Sequence, residues 1–354
     1  SSVLREYIIS EAMYYLGIPT TRSLAIIQTG EKVYRNEAHN GGILTRISSS
    51  HIRVGTFEFA SRFCSKDDLE VFAKYVIERH YPQIANTDNP VLELLESIMI
   101  KQIDLIVDWM RVGFIHGVMN TDNMSISGET IDYGPCAFMN AYNPNTVFSS
   151  IDKNGRYSFG EQPKIAYWNL IILANALIPI ISNNQEKSIE LVTEKLNKFS
   201  TIFSNSWYSM MCKKLGISKP TENDKNLVDS LLELMNNKKA DYTNTFAVLT
   251  LNTASNESLF KSNKFKEWKK QWKSRIYSSN NNGDSFKLMQ TQNPLVIPRN
   301  HLVELALENS KNGNYDECNN LIELISKPYN YQSKYELQVI PKGYDDSYKT
   351  FCGT

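Results

Sequence analysis

A mostly non-helical stretch, residues 113–162, interrupts the helical patterns of this 354-residue chain and limits its possible folds more than any other feature. Elsewhere apolar residues mostly recur at the spacing of amphipathic helices, whereas here His, Asn, Asp and Gly stand between short apolar runs. Loops on a rigid scaffold often carry function, so we expect the chemistry of the protein in this stretch. The predicted fold class is α+β, mainly α.

Helices are predicted along most of the chain, and outside the stretch 113–162 strands are predicted only near its beginning. The strand-like runs are 23–28, 32–35 and 43–47, with a turn at Thr29-Gly30 between the first two. The predicted helices are 3–16, 54–63, 67–79, 91–112, 163–182, 186–215, 221–237, 241–252, 263–277, 297–310 and 315–326. The tail from Tyr329 is expected to be irregular and to lie over the surface.

Charge and cysteine usage exclude several classes of protein. Lys+Arg and Asp+Glu both number 38, so there is no basic excess of the kind that nucleic-acid binders show. The 5 cysteines form no C-x-x-C pair, which argues against a zinc site and against a disulfide-rich secreted scaffold. The uncharged stretch 165–185 is interpreted as a buried helix, with membrane contact as the alternative. We expect a monomer in a reducing compartment, without nucleic-acid or membrane partners.

One stripe of mainly aromatic residues could form a second binding surface. Phe265, Trp268, Trp272 and Ile276 stand at helical spacing within a lysine-rich segment. A nucleic acid or an anionic membrane could bind such a surface. The favoured interpretation is a helix that docks by its aromatic face and leaves its basic face in solvent.

The most informative motif is HGVMNTDNM at residues 116–124, followed by IDYG at 131–134. Protein kinases hold divalent metal with an Asn that closes the catalytic loop and with the Asp of a D-F-G turn. Asn123 and Asp132 have these types and this order, and both offer the hard oxygen ligands that such a cation requires. A hairpin of two short strands over 124–131 would bring them together, and Gly134 would allow the sharp turn after Asp132.

The same motif departs from the kinase pattern H-R-D-L-x-x-x-N at the catalytic position. Val118 stands where the kinase Asp would be and cannot accept a proton. A protein kinase that lacks this Asp would be expected to be inactive. Asp122 is the nearby carboxylate. His116 could be a ligand or a base, but a structural role that holds the loop by hydrogen bonds is favoured.

The run HGVMNTDNMSI…TIDYGP closely resembles the selenoprotein O family. The segments SSVLREYIISEAMYYLGIPTTR, TRISSSHIRVGTFE, the GRYSF stretch within 152–163 and NPLVIPRNHLVELA match it too, so the resemblance covers nearly the whole chain. It implies a protein-kinase-like fold that binds ATP in an inverted orientation. Members transfer AMP, or UMP from UTP in some cases, to Ser, Thr or Tyr hydroxyls of proteins. The expected function is metal-dependent protein nucleotidyl transfer with Mg²⁺ or Mn²⁺.

The resemblance also implies roles for individual residues in the loop region. Asp122 matches the catalytic base of the family. Asn123 and Asp132 match its metal ligands, and Asp132 would also lie close to the nucleotide.

Three further positions match residues that surround the nucleotide. Arg46 and Arg53 match two arginines that contact phosphate, and the planar guanidinium suits phosphate oxygens. The alternative for both is surface ion pairing, which contributes little. Glu6 matches the glutamate that pairs with the nucleotide-binding lysine, and Glu11 is the less favoured candidate for that role.

The resemblance divides the chain into a remnant of the small lobe (1–60, a helix plus strands), a helical large lobe (61–328, with the catalytic and metal-binding loops at 113–162) and a tail (329–354). In the family a Gly-rich segment and the nucleotide-binding lysine precede the first helix, and no G-x-G-x-x-G run is present here. We therefore expect a chain truncated at its N-terminus that binds ATP weakly or not at all. That expectation favours the alternative function, a non-catalytic pseudokinase that binds nucleotide or a protein partner.

Family members carry a redox-active Cys or selenocysteine near the C-terminal end, which in some bonds to a cysteine of the activation-loop region. The implied pair in this chain is Cys136 with Cys352, and the alternative is two unrelated thiols. The expected location is the cytoplasm for a bacterial member and the mitochondrion for a eukaryotic one.

Overall fold

The fold is taken from a computed structural model that describes residues 2–34, 38–278, 282–331 and 337–351. The helices are α1 Ser2–Tyr15, α2 Val54–Phe63, α3 Lys66–His80, α4 Pro90–Arg111, α5 Gln162–Ile181, α6 Gln185–Asn197, α7 Phe199–Lys214, α8 Glu222–Lys238, α9 Tyr242–Leu251, α10 Ser258–Lys261, α11 Asn263–Tyr277, α12 Asn282–Gln292, α13 Asn300–Lys311, α14 Asp316–Ile325 and α15 Tyr344–Ser347. The strands are β1 Arg22–Tyr34, β2 Ala38–Ile47, β3 Phe114–Ile115 and β4 Ala137–Phe138. The class is therefore mainly α, with two small antiparallel sheets among the described residues.

The first sheet is a long hairpin whose strands leave apolar side chains in solvent. β1 pairs with β2 from Arg22 opposite Ile47 to Tyr34 opposite Ala38. The turn predicted at Thr29-Gly30 is wrong, because β1 continues through these residues with an irregularity in register. A strand can absorb such residues as a bulge, which a local turn signal does not distinguish from a reversal.

The helical body is built around α4, which packs against α5, α6 and α7. Its start follows from local chemistry, because the Asn89 side chain accepts the Leu92 N–H (3.1 Å) and Pro90 needs no donor there. The segment Phe159–Ile181 is long and apolar enough, by length and composition alone, to cross a membrane, and half of its most apolar window is buried inside the protein. The predicted helix is thus present as α5, and the choice between burial and membrane contact stays a prediction.

Besides the short helices α10 and α15, which the sequence pattern did not predict, two larger differences separate the predicted helices from the structure. The pattern 186–215 is divided at Lys198 into α6 and α7, which lets Phe199 contact the ring of Tyr167 at 5.1 Å between centroids. The second difference is α12, which was not predicted. Its sequence is polar, and its formation depends on burying Met289 and on packing Phe286 against Trp272.

The aromatic stripe of α11 is buried, as the structural interpretation predicted. Phe265, Trp268, Trp272 and Ile276 are each at most 3% exposed. The indole N–H of Trp268 donates to the Leu227 carbonyl (2.9 Å), which ties α11 to α8. These side chains therefore belong to the core.

The described part of the tail is docked on the body rather than loose over it. Asp345 accepts a hydrogen bond from the Asn140 amide (2.7 Å), and the Thr350 N–H donates to the Phe148 carbonyl (2.8 Å). The tail thus lies against the segment that follows the IDYG motif. The division of the chain into lobes and a tail stays a prediction.

Candidate active site

Glu6 of α1 points toward the IDYG motif. Its Oε1 lies 2.6 Å from Arg46, and its Oε2 accepts the backbone N–H of Tyr133 at 2.7 Å. Burial raises the pKa of the Glu6 carboxyl, while the charge of Arg46 acts in the opposite direction. Glu6 therefore joins α1, β2 and the residue after Asp132.

Glu11, the less favoured candidate, faces elsewhere. Both of its carboxylate oxygens accept hydrogen bonds from Arg22, at 2.8 and 2.9 Å. The Arg22 guanidinium also stacks over the ring of Tyr14, 3.5 Å from its centroid. This pair fastens α1 to β1 and lies outside the contacts of the IDYG motif.

Residues 116–124, named here the Asp122 loop, end in a 3₁₀ turn at Thr121–Asn123. Asn120 begins this turn, because its side-chain oxygen accepts the Asp122 N–H at 3.0 Å. The Asn123 amide donates to the Val118 carbonyl at 3.0 Å, so its nitrogen side is satisfied within the loop. Among the described residues no donor bonds the oxygen of that amide, which leaves it available to a cation.

Residues 131–136, named here the Asp132 turn, are more constrained. Asp132 itself takes the left-handed conformation, with φ of +64°, which is costly for a residue with a side chain. The prediction that Gly134 supplies the special backbone freedom is therefore wrong, because Gly134 does not have positive φ. The neighbouring Tyr133 is fully buried, and its hydroxyl bonds the Thr20 side chain.

The predicted hairpin over 124–131 does not form as two strands paired with each other. Ser125 bridges to Arg53, and Thr130 bridges to Thr20, so both ends of the segment pair with other parts of the chain. The Gly128 N–H donates to the Ser125 carbonyl (3.1 Å), which supplies the reversal. Both predicted metal ligands are thus anchored from outside rather than by a local hairpin.

His116 connects the loop to the turn. Its Nε2 lies 2.9 Å from the Ile131 carbonyl oxygen, and its Nδ1 accepts the Val118 N–H at 3.4 Å. Because Nδ1 accepts, the proton of the neutral ring is on Nε2, which donates to Ile131. Burial lowers the pKa of His116, which is consistent with that neutral form. The geometry matches the structural role that the sequence favoured.

The Pro135 carbonyl is a second connection between loop, turn and tail. A side chain on Gly117, which has φ of +84°, would come within 2.6 Å of this oxygen. The Thr350 hydroxyl donates to the same oxygen at 2.6 Å. Only glycine therefore allows the loop to approach the turn this closely, and the tail holds the turn from the other side.

Cys136 is buried, and its thiol donates to the Tyr133 carbonyl at 3.2 Å. Burial raises the pKa of this thiol to about 12, so it is unreactive as it stands. Arg5 donates to the Cys136 carbonyl at 2.6 Å. Cys352 lies outside the described residues, and its pairing with Cys136 stays a prediction.

The two predicted phosphate-binding arginines differ in their partners. Arg46 is paired with Glu6, whereas Arg53 has no acidic partner within the described ranges. The Nε atoms of both are buried without a hydrogen-bond partner. A partly exposed guanidinium with an unused donor is suited to an anionic ligand.

A metal would have to be held by few protein ligands. No group of three or more His, Cys, Asp or Glu side chains that could hold a metal occurs in the described part of the chain. Asn123 and Asp132 nevertheless fit a hard cation, because both present oxygen atoms and because Glu6 adds negative charge beside Asp132. Mg²⁺ in particular is commonly held by one or two protein groups together with substrate phosphates.

Comparison with known proteins defines first the class and then the family. The model of the family described as protein adenylyltransferase SelO matches residues 1–326. The protein nucleotidyltransferase YdiU of Bacillus mycoides is 50% identical over 357 residues, covering 99% of this chain and 73% of that protein. The protein of the same name from Clostridium perfringens is 49% identical over 354 residues, covering 99% and 72%. The chain is thus an enzyme that transfers nucleotide, and within that class it belongs to the SelO family.

Several residues that surround the site were not singled out by the sequence. They are Arg5, Gly55, Glu58 and Thr350, each of which contacts the loop, the turn or a residue beside them. Gly55 and Glu58 both lie in the segment TRISSSHIRVGTFE, and Arg5 lies in SSVLREYIISEAMYYLGIPTTR, but no local pattern indicates which residues of these segments reach the loop or the turn. Thr350 lies outside the matched segments.

Proposed function

We propose that this enzyme transfers AMP, or UMP from UTP, to Ser, Thr or Tyr hydroxyls of proteins, and that it does so with Mg²⁺ or Mn²⁺. The observation that carries the proposal is the 3₁₀ turn Thr121–Asn123, where the exposed carboxylate of Asp122 adjoins the amide oxygen of Asn123, to which no described residue donates a hydrogen bond. Asp122, the proposed base, is exposed to an acceptor protein and is the neighbour of Asn123, a proposed metal ligand. The names of the family and of its relatives support the transfer of a nucleotide.

In this reaction the acceptor hydroxyl attacks the α-phosphorus of the nucleotide. A new P–O bond forms, the bond to the β-phosphate oxygen breaks, and pyrophosphate leaves. Asp122 accepts the proton of the hydroxyl, a task for which Val118 has no suitable group. Val118 is in any case buried, and its carbonyl is engaged by Asn123.

Asn123 and Asp132 would hold the metal, which supplies neutralisation of the charge that develops on the leaving pyrophosphate. Arg53, with no acidic partner within the described ranges, would grip the terminal phosphate. Arg46 would assist while Glu6 holds its guanidinium. In this arrangement the γ-phosphate lies away from the acceptor and the α-phosphate faces it.

The proposal includes a protein-kinase-like arrangement of the fold, with 1–60 as part of a small lobe and 61–328 as a large helical lobe. Two features support it. The Asn of one loop and the Asp of the next turn follow the kinase order. In addition, a glutamate of the helix before the hairpin reaches the residue after that Asp.

The test is transfer of label from ATP to an acceptor protein in the presence of Mg²⁺ or Mn²⁺. The full-length protein is incubated separately with α-labelled and γ-labelled ATP, and UTP labelled at the α position is run in parallel. We expect incorporation of the α label and none of the γ label. Incorporation of the γ label alone would contradict the proposal. Full activity of the Asp132→Ala variant would contradict it too.

A further inference from the structure

The first turn of α2 lies directly against the Asp122 loop. Gly55 is the second residue of α2, and a Cβ atom placed on it would come less than 3.0 Å from Asp122 Oδ1 and 3.3 Å from Thr121 Oγ1. Gly55 does not have positive φ, so the backbone here does not need glycine. Alanine is a better helix former than glycine, so helix propensity does not explain the glycine either. Room for the carboxylate is the remaining reason for the glycine.

A second contact lies one turn further along the same face of α2. The Thr121 hydroxyl donates to Glu58 Oε2 at 3.0 Å, and Glu58 Oε1 is held 2.8 Å from Arg62. Gly55 and Glu58 are three residues apart, a spacing that places them on one side of a helix. The Val54 N–H also donates to the Met124 carbonyl at 2.9 Å, so α2 and the Asp122 loop are joined at both ends of the turn.

Asp122 has few other constraints on its direction. It is exposed, and the hydrogen bond to Asn120 holds its backbone N–H rather than its side chain. Within the described residues, no donor makes a hydrogen bond to its carboxylate. Packing against the backbone of α2 is therefore the contact that limits where this carboxylate can point.

We propose that Gly55 and Glu58 are positioning residues for Asp122, which act by setting the place of its carboxylate relative to the acceptor hydroxyl. This inference rests on the proposed role of Asp122 as the base. A methyl group at position 55 would displace the carboxylate by about 1 Å, and a displacement of that size can cost roughly 10²-fold in rate. Nucleotide binding depends on other residues and would be unaffected.

The main experiment compares two Gly→Ala variants in the same position of two helices. Gly283 is the second residue of α12, and a Cβ atom there would meet nothing within 4 Å. We expect Gly55→Ala to lower kcat by about 10–100-fold with unchanged KM and Kd for ATP, and Gly283→Ala to leave all three unchanged. Thermal melting of both variants measures whether they fold.

A double-mutant cycle shows whether the effect passes through Asp122. In an Asp122→Asn background, Gly55→Ala should cause no further loss of kcat, because the carboxylate that it displaces is gone. An equal loss in both backgrounds would overturn the inference, as would an unchanged kcat in Gly55→Ala.

Glu58 supplies an independent variant in case Gly55→Ala folds poorly. Glu58→Ala removes the acceptor of the Thr121 hydroxyl and should lower kcat, whereas Glu58→Gln keeps an oxygen acceptor and should retain most of it. Equal kcat values for Glu58→Ala and the unaltered protein would count against the inference. If the unaltered protein transfers only the γ label, both the proposed function and this inference are wrong. If it transfers the α label while the variants behave normally, the inference alone fails.

Discussion

The Asp122 loop and the Asp132 turn are neighbours along the chain, but their surroundings are opposite. Asp122 is exposed on a short 3₁₀ turn and is limited mainly by the backbone of α2. Asp132 is half-buried in a left-handed conformation, with Glu6 bonded to the next residue and His116 bonded to the preceding one. A proton acceptor has to reach a second protein, whereas a metal ligand has to stay in one place. The two environments suit these two tasks.

The largest effect should come from the constrained aspartate. Asp132→Ala removes a proposed metal ligand, so transfer of the α label should be abolished and the affinity for nucleotide in the presence of Mg²⁺ or Mn²⁺ should fall. Calorimetric titration of ATP with and without the metal measures this. The metal-free affinity is the control, and it should change little. An active variant would remove Asp132 from the metal site.

The exposed aspartate should give a different kinetic pattern. Asp122→Asn keeps the size of the side chain but cannot accept the proton, so kcat should fall by about 10²–10⁴-fold while the Kd for ATP stays the same. Steady-state transfer assays and calorimetry on the same sample separate the two quantities. A parallel loss of nucleotide affinity would show that the two aspartates share one role, and the comparison would then fail.

The two glutamates of α1 form a matched pair with a smaller expected effect. Glu6→Gln weakens the link between Arg46 and the Asp132 turn, so the KM for ATP should rise several-fold. Glu11→Gln disturbs only the pair with Arg22, which is worth about 1 kcal/mol of stability or less, and should leave KM unchanged. Michaelis constants and melting temperatures of both variants show which glutamate affects the KM for ATP and which affects only stability. A larger kinetic effect of Glu11→Gln would reverse the assignment.

The smallest expected effect concerns pH and the residue that joins loop and turn. The pKa of His116 is lowered in the folded state, so below about pH 6.5 the unfolded chain binds a proton that the folded chain does not. Stability should therefore decrease as pH falls below that value, by at most about 1.4 kcal/mol per pH unit for this one group.

Denaturant unfolding between pH 7.5 and 5.5 measures this slope. The matched variant is His116→Gln, which lacks the titrating ring and should show a shallower dependence on pH. His80 and His301 also have lowered pKa values but are present in both proteins, so their contributions cancel in the comparison. Identical slopes would mean that His116 does not stay neutral in the folded protein.

The local sequence pattern was sufficient to predict many helices. It failed where tertiary packing determines the position of a helix or of its ends. α2 and α11 begin and end as predicted, and α11 has a local cap in which the Ser262 hydroxyl accepts the Phe265 N–H at 3.2 Å. The division between α6 and α7 at Lys198 has no Gly or Pro to announce it. It depends on contacts that each helix makes with the body, and the same is true of α12.

By itself the sequence determined the mainly helical class, the residue types of the two loops and the resemblance to the family, since all three are recorded in neighbouring positions along the chain. The resemblance already favoured Glu6 over Glu11, but only the tertiary structure showed that Glu6 bonds the backbone N–H of Tyr133 and that Asp132 itself takes the left-handed conformation. It also decided that the backbone of Gly55 meets the exposed carboxylate of the Asp122 loop. These features are contacts between segments far apart along the chain, or the strain that such contacts impose, and a local pattern carries no record of either.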